Sequence, residues 1–123
     1  MIRELLAVGL GGAFGSIARY LLSSYLLVGH TLYGLPAATF AINVIGSLLI
    51  GFLLGILQST TLIWFLIMGF CGGFTTFSTF SAEVVNLLST GRLMPAALYI
   101  TASVVVCVMC TAGGVWLGQV VKI

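Results

Sequence analysis

The chain has 123 residues, 61% of them hydrophobic and 5% charged, with four Lys or Arg against two Asp or Glu and a net charge of +2; its mean hydropathy is +1.30. So few charges cannot clothe a soluble globule, and the chain reads as an all-α integral membrane protein of one domain, 1–123. Four scattered basic residues form no nucleic-acid stripe, and no phosphate loop or hydrolase triad is present, so neither a nucleic-acid partner nor an enzyme activity is expected.

Four apolar segments, near 5–28, 34–57, 61–88 and 95–120, are each long enough to span a hydrocarbon core that needs about 20 helical residues. The first carries Gly9, Gly11, Gly12 and Gly15, whose missing side chains suit close helix contact. Its length, and Arg19 within it, mark a retained span rather than a cleaved leader. A short connection, 29–33, holds His30, the chain's one histidine.

The second segment places Thr39, Asn43 and Ser47 four residues apart along one face, with Gly46, Gly51 and Gly55 interspersed. The third contains GGFTTFSTFS at 72–81. Gly72-Gly73 predicts a break in mid-membrane, tolerated only where backbone is buried in protein or lines a wet cavity. Such a break frees carbonyls that suit a hard cation, and the helix that restarts after it presents an amide-rich end that favours an anion. Phe77 and Phe80 lie three residues apart, so positive ring edges can share a face with the hydroxyls of Ser78, Thr79 and Ser81. Glu83 and Asn86 follow.

The fourth segment repeats Tyr99, Ser103, Cys107 and Thr111 every four residues, a polar track in an otherwise valine-rich helix. Cys71, Cys107 and Cys110 all fall inside spans, where small thiols serve as packing residues. The connections 29–33, 58–60 and 89–94 are short, which predicts consecutive helices as antiparallel neighbours.

Arg3 and Lys122 fall on one side of such a bundle, Arg19 and Arg92 toward the other, so the basic residues give no orientation bias. Either another factor orients the chain, or it inserts both ways and pairs with an inverted copy. Oligomerisation is expected in either case, because four helices this slender enclose no lined pathway. Neutral hydroxyl and amide donors with ring edges suit a small, strongly hydrated anion. Fluoride, the strongest hydrogen-bond acceptor among halides, fits best, with chloride or a polar solute still open.

GGAFGSIARY at 11–20, NVIGS at 43–47 and GFCGGFTTFSTFSAE at 69–83 resemble the signature segments of the CrcB/Fluc fluoride channels. The resemblance extends over all four helices in order. It implies a dual-topology, antiparallel homodimer in the bacterial inner membrane, exporting fluoride passively through two pathways and so relieving its toxicity. By that pattern Phe77 and Phe80 line the pathway, Asn43 hydrogen-bonds fluoride, and Tyr99, Ser103 and Thr111 form the track, to which the spacing adds Thr39, Ser78, Thr79 and Ser81. The resemblance further implies a structural sodium held by the carbonyls of Gly72 and Thr75, with Arg19 and Glu83 at vestibule and packing positions. Cys107 stands where the family often has serine, and Phe74 where a smaller aliphatic is common.

Two other functions share this length and helix count. A proton-coupled exporter of organic cations would need a membrane-embedded carboxylate, for which Glu83 is the candidate, and an aromatic cage. A non-transporting assembly subunit would use the polar rows only as interhelical glue.

Overall fold

The computed structural model describes residues 1–26, 31–32 and 35–122. Four helical stretches in it are long and apolar enough to cross a membrane: Ile2–Tyr25, Ala37–Ile56, Thr60–Ser89 and Leu93–Val121. They agree with the predicted segments to within about three residues at most ends, because an apolar run of membrane length leaves the backbone little alternative to a helix. His30 lies outside the described residues.

Helix α1 (Ile2–Leu21) continues into a π-turn, Leu22–Leu26. A two-residue antiparallel bridge follows, pairing β1 (Thr31–Leu32) with β2 (Leu35–Pro36). Helix α2 is Ala37–Ile56. The third span divides into α3, residues 60–74, and α4, Phe77–Ser89. Within α3, Ile63–Cys71 winds as a π-helix whose last turn closes with the Gly72 amide donating to the Ile67 carbonyl. Helix α4 ends in a Schellman turn, in which the Arg92 amide donates to the Leu87 carbonyl and the Gly91 amide to that of Leu88. Gly91 supplies the left-handed residue, at φ 77°. Helix α5 (Leu93–Val121) then forms the fourth span.

The expected neighbour order is corrected. The closest contacts join spans one and three, and two and four, which run parallel rather than antiparallel. Glycines spaced four apart on each partner set this pairing. A side chain at Gly11 or Gly15 of α1 would collide with the α3 carbonyls of Phe65 and Phe70, while a Cβ at Gly69 or Gly73 would come 2.8 Å from the Val8 carbonyl or 2.6 Å from that of Gly12. Gly51 and Gly55 of α2 meet Thr111 and Val115 of α5 in the same way, and Gly114 and Gly118 of α5 meet Leu48 and Phe52 of α2. Lipid supplies no hydrophobic drive between helices, so backbone approach decides which pack, and loop length does not.

The break is also corrected. Gly72 and Gly73 are helical, and the chain leaves the helix at Thr75 (φ −80°, ψ 158°) and Thr76 (φ −147°, ψ 118°). Glycine weakens a helix but gives its freed peptide groups no substitute partners; the break falls where side chains supply them. Phe74, which stands where a smaller aliphatic is common, is buried and stacks on Phe70 at 5.7 Å with the rings 10° apart, filling the space beside Gly46.

Gly51→Leu should cost about 1–3 kcal/mol through overpacking against Thr111, whereas Gly9→Ala, where a Cβ meets nothing within 4 Å, should be nearly neutral. Thermal unfolding of the two variants in detergent, followed by circular dichroism, checks the difference.

Candidate functional site

Asn43, half-way along the polar face of α2, holds the break. Its Nδ2 donates to the Thr76 carbonyl at 3.0 Å, and its Oδ1 accepts from the Thr76 amide at 2.9 Å, so one side chain satisfies both halves of a non-helical residue. Thr76 then caps α4, its Oγ1 accepting from the Thr79 amide at 3.2 Å. Thr75 closes the end of α3, with its amide and its hydroxyl both donating to the Cys71 carbonyl. Gly46 lets α2 lie against this segment, since a Cβ there would collide with the Thr75 methyl.

These side-chain bonds redirect two amides. The Thr76 amide, which a continuous helix would give to the Gly72 carbonyl, goes to Asn43; the Thr79 amide, which would go to the Thr75 carbonyl, goes to Thr76 Oγ1. The carbonyls of Gly72 and Thr75 are thereby released. Arg19 takes the intervening Gly73 carbonyl, its Nε donating at 3.0 Å. That places a positive charge at the negative C-terminal end of α3 and gives a guanidinium inside an apolar span a bound partner.

A cavity of about 400 Å³ opens beside the break. Asn43 and Ser47 of α2, Cys71 and Thr75 of α3, Thr76, Phe77 and Phe80 around the start of α4, and Ser103 and Cys107 of α5 contribute to its wall. Phe77 and Phe80 stand 5.5 Å apart, ring centre to ring centre, with their planes tilted by 47°. They do not share one environment: Phe77 is 77% exposed, whereas Phe80 is 8% exposed and packs on the Tyr99 ring at 5.0 Å. Ser103 is 7% exposed, and its Oγ is buried without a hydrogen-bond partner among the described residues. A buried hydroxyl facing a cavity in that state is a group awaiting a ligand or water.

A second hollow, of about 420 Å³, is lined by Ser47, Cys107, Val108, Thr111 and Ala112. It continues the track along α5. The Thr111 hydroxyl reaches the carbonyls of Ser47, at 3.1 Å, and Cys107, at 3.0 Å.

The remaining predicted site residues fall elsewhere. Ser78 and Thr79 join the Thr76 cap, at 3.4 and 3.1 Å, and Ser81 donates back to the Phe77 carbonyl at 2.9 Å; none of the three is on the cavity wall. Thr39, Glu83 and Tyr99 form a cluster of their own. One Glu83 oxygen accepts from Thr39 Oγ1 at 3.0 Å and the other from the Tyr99 hydroxyl at 2.9 Å, with Thr39 5% and Tyr99 1% exposed. Sequence reasoning did not single out Thr76. A threonine directly before the FSTFSAE run was a readable N-cap signal, and Asn43 supplies the tertiary half of the device.

A family model described as "CrcB-like protein, Camphor Resistance (CrcB)" matches residues 6–115. Among similar proteins, the fluoride-specific ion channel FluC of Chlorobaculum tepidum is 42% identical, the match covering 97% of each chain. Those of Geobacter metallireducens and Methanocaldococcus jannaschii are 45% and 47% identical, over 93% and 89% of this chain and 92% and 89% of theirs.

Asn43→Ala strands the Thr76 amide, while the Thr76 carbonyl keeps its place as first acceptor of α4, and should destabilise by about 1–3 kcal/mol; Thr76→Ala removes one cap and should cost about 1 kcal/mol. Unfolding in detergent measures both costs, and amide exchange at Thr76 should speed up in Asn43→Ala; unchanged exchange there would show that Asn43 does not hold the amide.

Proposed function

From the premise that the chain belongs to the CrcB family, we propose that it is a fluoride-selective channel letting fluoride leave the cytoplasm passively and so relieving its toxicity. The observation that carries the reading at residue level is Ser103. Its buried, unpartnered hydroxyl faces a cavity shared with Asn43 and Phe80, so the wall holds neutral donors and ring edges together. Fluoride sheds its water only if replacements are offered, and the Asn43 amide keeps a second N–H beyond the one given to Thr76. The pathway proposed here runs along Asn43, Phe77, Phe80, Ser103 and Thr111, with Tyr99 backing Phe80. Ser78, Thr79 and Ser81 support the start of α4, and Thr39 the carboxylate of Glu83.

The functional unit proposed is an antiparallel homodimer with two pathways. Balanced basic residues support it, as does the exposure of Gly72, Ser78 and Thr79 beside the break in one protomer, since non-helical backbone at that depth is tolerated only where it is covered by protein or lines a wet cavity. The released carbonyls of Gly72 and Thr75 suit a hard cation, and a structural Na+ held there would supply positive charge at the break. An organic-cation exporter finds less support, because both Glu83 oxygens are already engaged by hydroxyls and the residue is not on the cavity wall.

Purified protein in liposomes should release loaded fluoride and retain chloride; no fluoride release defeats the reading, and equal chloride release defeats its selectivity. Ser103→Ala should slow fluoride about tenfold, the equivalent of roughly 1.4 kcal/mol, while leaving stability unchanged or slightly raised, since it deletes an unsatisfied buried group. A residue serving only as packing would leave the rate untouched. Cysteine labelling from each side of the membrane should find both orientations, and a single orientation would defeat the inverted pairing.

A further inference from the structure

The two hollows have a common wall made of Ser47, Cys107 and Val108. On the track itself the residue at that neck is Cys107, between the unpartnered Ser103 hydroxyl above and Thr111 below. Thr111 is tied to carbonyls of α2 and α5, and Val108 offers no polar atom, so the polar group that α5 presents at the neck is the Cys107 thiol, with Ser47 of α2 on the same shared wall. The residue is half-buried, and its side chain borders both hollows.

We propose that Cys107 is a thiol-modification site at the neck of the pathway, and that a small neutral reagent forming a mixed disulfide there closes the route to fluoride. The proposal rests on the fluoride reading. With a methanethiosulfonate, Cys107 gives up its proton to water and the thiolate sulfur attacks the sulfenyl sulfur. A new S–S bond forms, the sulfenyl sulfur–sulfonyl sulfur bond breaks, and methanesulfinate leaves with the electron pair. The added S–CH3 lies between the hollows. The other two thiols differ in placement: Cys71 is 1% exposed, on the wall of the first hollow alone, and Cys110 lines neither.

The test uses full-length protein in fluoride-loaded liposomes treated with methyl methanethiosulfonate, with peptide mass analysis to locate the label. The expected result is a label on Cys107, at least a tenfold loss of fluoride release, recovery with dithiothreitol, and no loss in Cys107→Ser. A Cys71→Ala, Cys110→Ala double variant should remain sensitive. Labelled Cys107 with an unchanged rate, failure to label Cys107, or block persisting in Cys107→Ser each overturn the proposal. An untreated wild type that releases no fluoride overturns the parent reading instead, and is seen before any reagent is added.

Discussion

A peptide group that leaves a helix inside a membrane must find both a donor and an acceptor, and the Asn43 carboxamide gives Thr76 one of each. Much else at the site follows from that pair of bonds. Because the Thr76 amide is turned to Asn43, the Gly72 carbonyl is released; because Thr76 is extended, its hydroxyl can cap α4 and divert the Thr79 amide from Thr75. Arg19 then binds the one carbonyl between them, that of Gly73. The break is therefore a defined polar object, with a cationic side chain at the end of one half-helix and an amide-rich start to the other.

That object needs room, and glycines provide it by setting the two parallel pairs. Gly11 and Gly15 with Gly69 and Gly73 draw α1 onto α3, bringing Arg19 within reach of Gly73; Gly51 and Gly55 with Gly114 and Gly118 draw α2 onto α5, laying Ser47 beside Thr111. The polar rows of α2 and α5 thus face a common space. The glycine contacts bring the two backbones together between Leu48 and Gly55 of α2, and the cavity opens toward Asn43.

How much of this was legible in the sequence depends on how local each cause is. Apolar runs located the spans, and the four-residue spacing of Tyr99, Ser103, Cys107 and Thr111 marked a row of which the last three line the two hollows while Tyr99 turns to Glu83; the row itself depends on one segment's own periodicity. The break was misplaced at Gly72-Gly73 because its cause is not local: Asn43 lies 33 residues from Thr76, and no property of the glycines reveals that clamp. The hydroxyls of 78–81 were assigned to the pathway on proximity, yet capping and back-bonding to α4 claim them first. Thr39, Glu83 and Tyr99 were each noticed singly, and only the fold joins them.

The disposal of charge is what makes the cavity suit a small anion. Arg19 and Glu83 both sit in apolar spans, and each is satisfied away from the cavity wall, Arg19 on the Gly73 carbonyl and Glu83 on two hydroxyls. What remains on that wall is neutral: an amide, hydroxyls, ring edges and two thiols. A cationic side chain in direct contact would hold a desolvated anion too tightly to release it, and a carboxylate would repel it. Conduction needs binding strong enough to enter and weak enough to leave, and neutral donors repeated along a track meet both conditions. Fluoride gains most from such donors because it accepts hydrogen bonds more strongly than the larger halides, so a wall without net charge can still discriminate between them.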